Sequence, residues 1–323
     1  MKRFCTEPRP SGSGPAPLPP DAGMYSDARR PFSALIHTAG NFIELTKPRI
    51  TFFILMSTAI GFLCATRLGQ PWTWLQFVHT LIGTALIASG TAALNQWYER
   101  DADAKMNRTG KRPIPSGRVT ANHALAFGVV LSVAGFLELW LGANLLTGLL
   151  GAFTLASYLF AYTPLKQRSP HSTTIGAIPG AMPPLIGYAA AANLLDWSAW
   201  TLYAILFLWQ FPHFYAIAWM YREDYGRAGI RMLPVVEPDG ESTARRILLF
   251  SFALVPISLV PTFLSMAGNV YLVGALALGG MVIWAAFRAA KDRTIVHARQ
   301  VLLASVVYLP LLYGLLVLDG TRI

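Results

Sequence analysis

Charge is scarce in this chain. Asp, Glu, Lys and Arg make up only 13% of its 323 residues, where a soluble globular protein carries about 25%. With a mean hydropathy of +0.45, that deficit excludes a soluble domain. Acidic residues are the scarcer half, 16 against 26 basic ones, so the net charge is +10. A nucleic-acid-binding protein can be this basic but not this apolar, so nucleic acid is excluded as a partner. Cysteine is nearly absent too. Cys5 and Cys64 exclude a disulfide framework and a Cys-rich metal site. One lies in a polar tail and the other in an apolar run, so both are read as free thiols. What is left is a multi-span protein of the lipid bilayer that keeps its positive charge in its loops.

Residues 1–40 differ from the rest. Pro8, Pro10, Pro15, Pro17, Pro19, Pro20 and Pro31 stand among Gly, Ser and scattered charges. Such a segment buries too little apolar surface to offset the entropy of ordering, so it reads as a disordered, Pro-rich cytoplasmic tail. It has no apolar core of a secretory signal, and Glu7, Asp21 and Asp27 weaken a transit-peptide reading. Residues 41–323 form the domain. Nine apolar runs recur there: Ile50–Ala65, Leu75–Leu94, Ala121–Leu139, Leu145–Tyr162, Thr173–Ala192, Ala199–Met220, Ile247–Ser265, Val270–Phe287 and Val301–Val317. Each approaches the length of about 20 residues that a helix needs to cross a bilayer. The expected fold class is therefore all-α, with nine transmembrane helices.

The loops test sidedness. With the N-terminus placed in the cytoplasm, 24 of the 26 basic residues fall on the cytoplasmic side, and only Arg67 and Arg322 on the other. That asymmetry fixes the orientation by the positive-inside rule and supports an odd number of spans. Both long loops, 95–120 and 221–246, face the cytoplasm, so the polar chemistry is expected there.

At the end of the second span Asn95, Glu99 and Asp103 are spaced i, i+4, i+8. On one continuous helix they fall within an arc of about 80°. Three oxygen ligands on one stripe suit Mg²⁺, which takes one or two carboxylates, keeps waters and bridges to phosphate. The competing reading is a solvated helix end. Against it, carboxylates at a helix C-terminus oppose the macrodipole, and Asn95 lies inside the apolar run. Asp101 points elsewhere, as a surface carboxylate or an arginine partner. Lys105, Arg108, Lys111, Arg112 and Arg118 follow in a loop shaped by Pro113, Pro115 and Gly117. Such cations hold phosphate oxygens, although a positive-inside loop would be basic in any case.

The sixth span ends in a weak echo of the second. Tyr98-Glu99-Arg100-Asp101 compares with Tyr221-Arg222-Glu223-Asp224. A parallel repeat would place a site at the repeat interface, with Glu223 and Asp224 facing the first cluster across one cavity and the two clusters binding a diphosphate through two Mg²⁺; a chance match is the alternative. A third polar stretch, Tyr162 through Lys166, Arg168 and His171, precedes a fifth span carrying Gly176, Pro179, Gly180, Pro183 and Pro184. A broken helix there walls a chamber or is simply a kinked packing helix. Gln210 and His213 lie inside the sixth span among aromatic residues. Intramembrane histidine points to function and to a large planar ligand; a buried histidine bonded to a carbonyl is the alternative.

These blocks carry a resemblance. Asn95-x₃-Glu99-x₃-Asp103 with Arg108-Thr-Gly-Lys-Arg112-Pro-Ile-Pro-Ser-Gly117 resembles the first Asp-rich motif of the UbiA-type intramembrane prenyltransferases, a nine-helix superfamily. Asn95–Asp103, Tyr162–Arg168 with Ile175–Gly187, and Trp209–Phe214 through Met232–Pro234 resemble its heme-farnesylating branch, over residues 42–317. The resemblance implies transfer of farnesyl from farnesyl diphosphate to a vinyl group of heme b, with addition of water, giving heme O and diphosphate. It implies Mg²⁺ on Asn95, Glu99 and Asp103. Arg108, Lys111, Arg112, Lys166 and Arg168 would meet the diphosphate. Tyr162, Gln210, His213, Glu223 and Asp224 would line the substrates, with His213 at the porphyrin or its iron. It further implies a bacterial inner-membrane location, an active site toward the cytoplasm and a downstream heme A synthase as partner. Glu99 stands where the superfamily usually has Asp, and the second Asp-rich motif is reduced to Glu223-Asp224, short of a full second metal site. The alternatives are a 4-hydroxybenzoate-type polyprenyltransferase and, from another class, a membrane transporter.

Overall fold

A computed structural model of the chain describes residues 38–68 and 71–320. The expected tail, residues 1–40, lies almost wholly outside the described residues, and Arg322 does too. Among the described residues there is no strand. Nine helices among the described residues are long and apolar enough to cross a membrane. They are α1 (Pro48–Ala65), α2 (Trp74–Tyr98), α3 (Ala121–Gly142), α4 (Leu145–Leu165), α5 (Ser172–Ala192), α6 (Trp197–Met220), α7 (Glu241–Phe263), α8 (Asn269–Asp292) and α9 (Ile295–Leu318).

Each start has a local cause. Thr73, Thr120, Asn144, Asp196 and Thr294 accept a backbone N–H in the first turn of α2, α3, α4, α6 and α9, which satisfies one of the four orphan donors of a helix end. Pro48 opens α1, where its missing N–H costs nothing. Both α7 and α9 begin six residues before their apolar runs. Hydropathy marks only the segment in lipid, whereas the hydrogen-bonded turns continue outward through Arg245, Arg246 and Arg299. Span five is broken, as its prolines led us to expect: Ser172–Gly180 and Met182–Ala192 meet at Ala181.

Small residues set the packing, as membrane helices without a hydrophobic drive require. At the α1–α5 crossing a Cβ on Gly61 would lie 2.0 Å from the Pro184 carbonyl oxygen, and one on Gly187 would lie 1.8 Å from that of Thr58. The two backbones are therefore in direct contact. Helices α2 and α3 pack through Gly83, Gly90, Gly128 and Gly135 in the same way. Away from the long loops, the core holds the buried rings of Tyr188, Tyr271, Tyr308 and Tyr313. Tyr188 donates to Asp196 at 2.8 Å, and Tyr271 and Tyr308 donate to Ser258 at 2.7 Å each. Arg67, at that end, donates to the carbonyls of Leu316 and Val317 at 3.2 and 2.8 Å and so caps the C-terminus of α9. Large apolar side chains such as Phe52, Phe160, Phe252 and Phe287 point outward, as a lipid solvent allows.

Gly187→Ala is expected to lower stability by at least the about 1–3 kcal/mol typical of overpacking, because backbone, not a side chain, must yield. Gly280→Ala, with nothing within 4 Å of the added carbon, is expected to be neutral. Denaturant titration of both variants in detergent micelles checks the contrast.

Candidate active site

The polar stripe of α2 is not one continuous helix. Regular α geometry ends at Tyr98, Glu99 adopts φ −87° and ψ 7°, and a single turn, Arg100–Asp103, follows. The i→i−4 bonds nevertheless survive the break: Glu99 N–H reaches Asn95 O at 2.9 Å and Asp103 N–H reaches Glu99 O at 2.8 Å. Asn95, Glu99 and Asp103 therefore stay on one side, and all three are buried.

Cations from three other segments meet them. Lys166, just after α4, donates to both Glu99 oxygens at 2.9 and 3.3 Å. Arg112 donates to Asp103 Oδ2 at 2.6 Å. Lys47, before α1, donates to Asn95 Oδ1 at 3.4 Å, and the Asn95 amide donates to Thr163 Oγ1 at the same distance. Burial opposes charge at each group. It would raise the Glu99 carboxyl, but Lys166, Lys47 and Arg112 outweigh it and hold Glu99 below the usual carboxylate range. Burial likewise opposes the Lys166 charge, yet Glu99 keeps that ammonium well above its ordinary value. The pair therefore stays ionised across the physiological range. Burial, then Arg112 and Lys166, push Lys47 down to about 7. Lys47 also sits at φ 50°, a left-handed conformation that costs a non-glycine residue about 1–2 kcal/mol.

The elements that carry these groups are themselves constrained. Helix α4 ends in a π-helical turn, Ser157–Tyr162, a feature often found at functional sites. It sets Tyr158 and Tyr162 edge to face at 4.9 Å, with the Lys166 ammonium 4.8 Å from the Tyr162 ring. Gly176 makes room for that ring: a Cβ there would lie 2.5 Å from Tyr162 Cδ2. The loop after α2 turns at Gly117, φ 75°. Arg118 anchors it to Glu44 and to the Lys111 carbonyl at 2.7 Å each.

Other expected residues divide. Arg108 leaves the cluster and joins Asp224: its backbone N–H donates to Asp224 Oδ2 at 3.2 Å, and Asp224 also pairs with Arg227. Glu223 is exposed. Lys111 and Arg168 are exposed and do not join the cluster. Gln210 is engaged by the protein itself, donating to Ala177 O and Leu206 O at 3.1 and 3.2 Å, so it cross-links α5 and α6. His213 is half-buried and stacks on Trp209 at 4.8 Å. Its Nδ1 lies 2.9 Å from Ser305 Oγ, whose proton goes to Leu302 O. The imidazole is then the donor at Nδ1, and its Nε2 has no hydrogen-bond partner among the described residues. Sequence reasoning missed Lys47, Tyr158, Tyr221 and Tyr225. Lys47 carried one signal, its place immediately before the proline that opens the first span.

The fit to a metal can be judged from the donors. No three His, Cys, Asp or Glu side chains converge among the described residues. The candidate set is thus two carboxylates and an amide, within what Mg²⁺ accepts. Asp103 Oδ1 is buried without any partner. A sealed carboxylate oxygen that bonds to nothing is costly and fits a cation ligand.

The fold is a membrane helix bundle with two buried carboxylates matched by a lysine and an arginine. Residues 54–311 match the model of the UbiA prenyltransferase family, and the chain belongs to that family. It is 63% identical over 288 residues to a protoheme IX farnesyltransferase of Solibacter usitatus, covering 86% of this chain and 98% of that one. A protoheme IX farnesyltransferase of Koribacter versatilis is 46% identical, covering 87% and 93%. Among solved structures, a digeranylgeranylglyceryl phosphate synthase superposes with a TM-score of 0.72 at 16% identity, over 87% of this chain and 98% of that one. A UbiA homologue of Archaeoglobus fulgidus bound to GPP and Mg²⁺ gives 0.59 at 14%, over 85% and 99%. The chain is a multi-pass membrane prenyltransferase.

Removing one partner of the Glu99–Lys166 pair leaves a buried charge unmatched, a loss of about 3–5 kcal/mol. Glu99→Gln and Lys166→Met are each expected to destabilise to that degree, and the double variant by less than their sum. A double-mutant cycle of denaturation in micelles measures the coupling.

Proposed function

We propose that this prenyltransferase moves farnesyl from farnesyl diphosphate to a vinyl group of heme b, adding water and releasing diphosphate, so that the product is heme O. The observation that carries the reading is the likeness to protoheme IX farnesyltransferases at 63% identity over nearly their whole length. The cluster of Asn95, Glu99, Asp103, Lys47, Lys166 and Arg112 supports it, because it sets lysine and arginine side chains beside buried carboxylates.

In the reaction the C1–O bond of farnesyl diphosphate breaks and its electron pair leaves with the diphosphate. The vinyl carbon attacks C1, and the cation left beside the porphyrin ring is captured by water, which gives up a proton. Lys166, Arg112 and Lys47 meet the charge that grows on the departing diphosphate. Asn95, Glu99 and Asp103 would hold Mg²⁺, which supplies further positive charge to that leaving group when bound. Tyr158 and Tyr162, beside Lys166, would limit water there. Trp209 and His213 offer a flat aromatic face and an open imidazole nitrogen to the porphyrin. The enzyme would lie in the bacterial inner membrane with this site toward the cytoplasm, and a heme A synthase would take its product onward.

Expression in a host that lacks heme O, followed by heme extraction, tests the function: farnesylated heme is expected, and a prenylated 4-hydroxybenzoate without heme O would refute it. Arg112→Ala frees Asp103 from its orienting partner and is expected to lower activity about 10–100-fold, read as diphosphate release with farnesyl diphosphate and heme b. His213→Ala is expected to raise KM for heme while leaving that for farnesyl diphosphate unchanged.

A further inference from the structure

The echo between α2 and α6 exists in the fold, but in a different register from the sequence comparison. Both helices end at a residue with non-helical dihedrals, Glu99 and Tyr221 (φ −112°, ψ 20°). In each, the next residue is an arginine that folds back. Arg100 donates to Trp97 O at 2.9 Å and lies 5.6 Å from that indole. Arg222 donates to Trp219 O at 3.0 Å and lies 4.7 Å from that indole. Matching Trp97 with Trp219 and Arg100 with Arg222 places Tyr221 at the position of Glu99 and Tyr225 at that of Asp103. Glu223 then matches Asp101, and both are exposed. Asp224 matches Ala102. The carboxylates of the second cluster thus do not occupy the ligand positions of the first.

The two tyrosines that do occupy them hold a cation. The Arg108 guanidinium lies 5.1 Å from the Tyr221 ring and 5.8 Å from the Tyr225 ring, within cation–π range. It also donates to Tyr225 Oη at 3.4 Å. Asp224 is already engaged: it pairs with Arg227 and accepts the Arg108 backbone N–H. The clamp adjoins the first cluster. Ala102 and Met106 pack with Tyr221 and Tyr225, Thr109 Oγ1 donates to the Asp103 carbonyl at 3.0 Å, and the Lys166 carbonyl accepts the N–H of Arg231 at 2.9 Å. Arg108 opens on a cavity of about 510 Å³, also lined by Asn107, Tyr221, Glu223, Asp224 and Arg227.

We propose that the second half-site binds no metal, and that Arg108, clamped by Tyr221 and Tyr225, supplies there the fixed positive charge that meets the substrate diphosphate. A planar guanidinium suits phosphate oxygens, and two aromatic faces hold it without neutralising it, as a carboxylate would. The proposal rests on the prenyl-diphosphate reading and adds the metal count.

Equilibrium dialysis of the full-length protein in micelles with Mn²⁺ and inorganic diphosphate tests it. One Mn²⁺ per chain in the diphosphate complex is expected; two would overturn the clamp. Arg108→Ala is expected to weaken diphosphate about tenfold or more while the count stays at one, and Tyr225→Phe, which keeps the ring, to weaken it less than Tyr225→Leu. Unchanged diphosphate affinity in Arg108→Ala would also overturn the proposal. Failure of the wild type to bind diphosphate at all would instead strike the prenyl-diphosphate reading.

Discussion

Two buried carboxylates at the end of a membrane helix are the constraint on which the rest depends. Glu99 and Asp103 face an unfavourable helix dipole and an environment that penalises charge. Neither is tolerable there without a cation. The chain brings one from beyond α4, one from the loop after α2, and a third from the turn before α1. Segments far apart in sequence are thereby fastened to one point, and the local irregularities gather around it: the left-handed Lys47, the break at Glu99 and the π turn before Lys166.

The same pairs would let an apolar protein keep the proposed site ready for a highly charged substrate. With carboxylates and cations already matched, little net charge is left in the membrane between turnovers. In the proposed reaction, a diphosphate arriving with its metal would offer each partner a new one of opposite sign. On the proposed function the cations would move to phosphate oxygens and the carboxylates to the metal, so that the cluster would stay balanced. On the α6 side the arrangement is reversed: aromatic rings, not carboxylates, hold the cation.

Much of this was legible in the sequence. Nine spans could be counted because a bilayer demands a minimum apolar length, and the α2 stripe was visible because its spacing matches a helix turn. The ends of α7 and α9 were not, since hydropathy stops at the lipid boundary and the helix does not. Lys47 was hidden because a lysine in a basic loop reads first as a topology signal. The echo was found from its tyrosines, yet its structural register follows tryptophan and arginine, whose stacking the one-letter match could not reveal. Gln210 illustrates the converse: a polar residue inside a span invites a substrate role, but its amide bonds two helix carbonyls beside a broken α5.

On the proposed function, the cations paired with Glu99 and Asp103 exchange partners when substrate binds. The most direct measurement is an experimental structure with Mg²⁺ and a non-reactive thio analogue of farnesyl diphosphate. The expected result places Lys166 Nζ and the Arg112 guanidinium on diphosphate oxygens, with Glu99 and Asp103 turned to the metal. Intact Lys166–Glu99 and Arg112–Asp103 pairs beside a diphosphate bound elsewhere would contradict it.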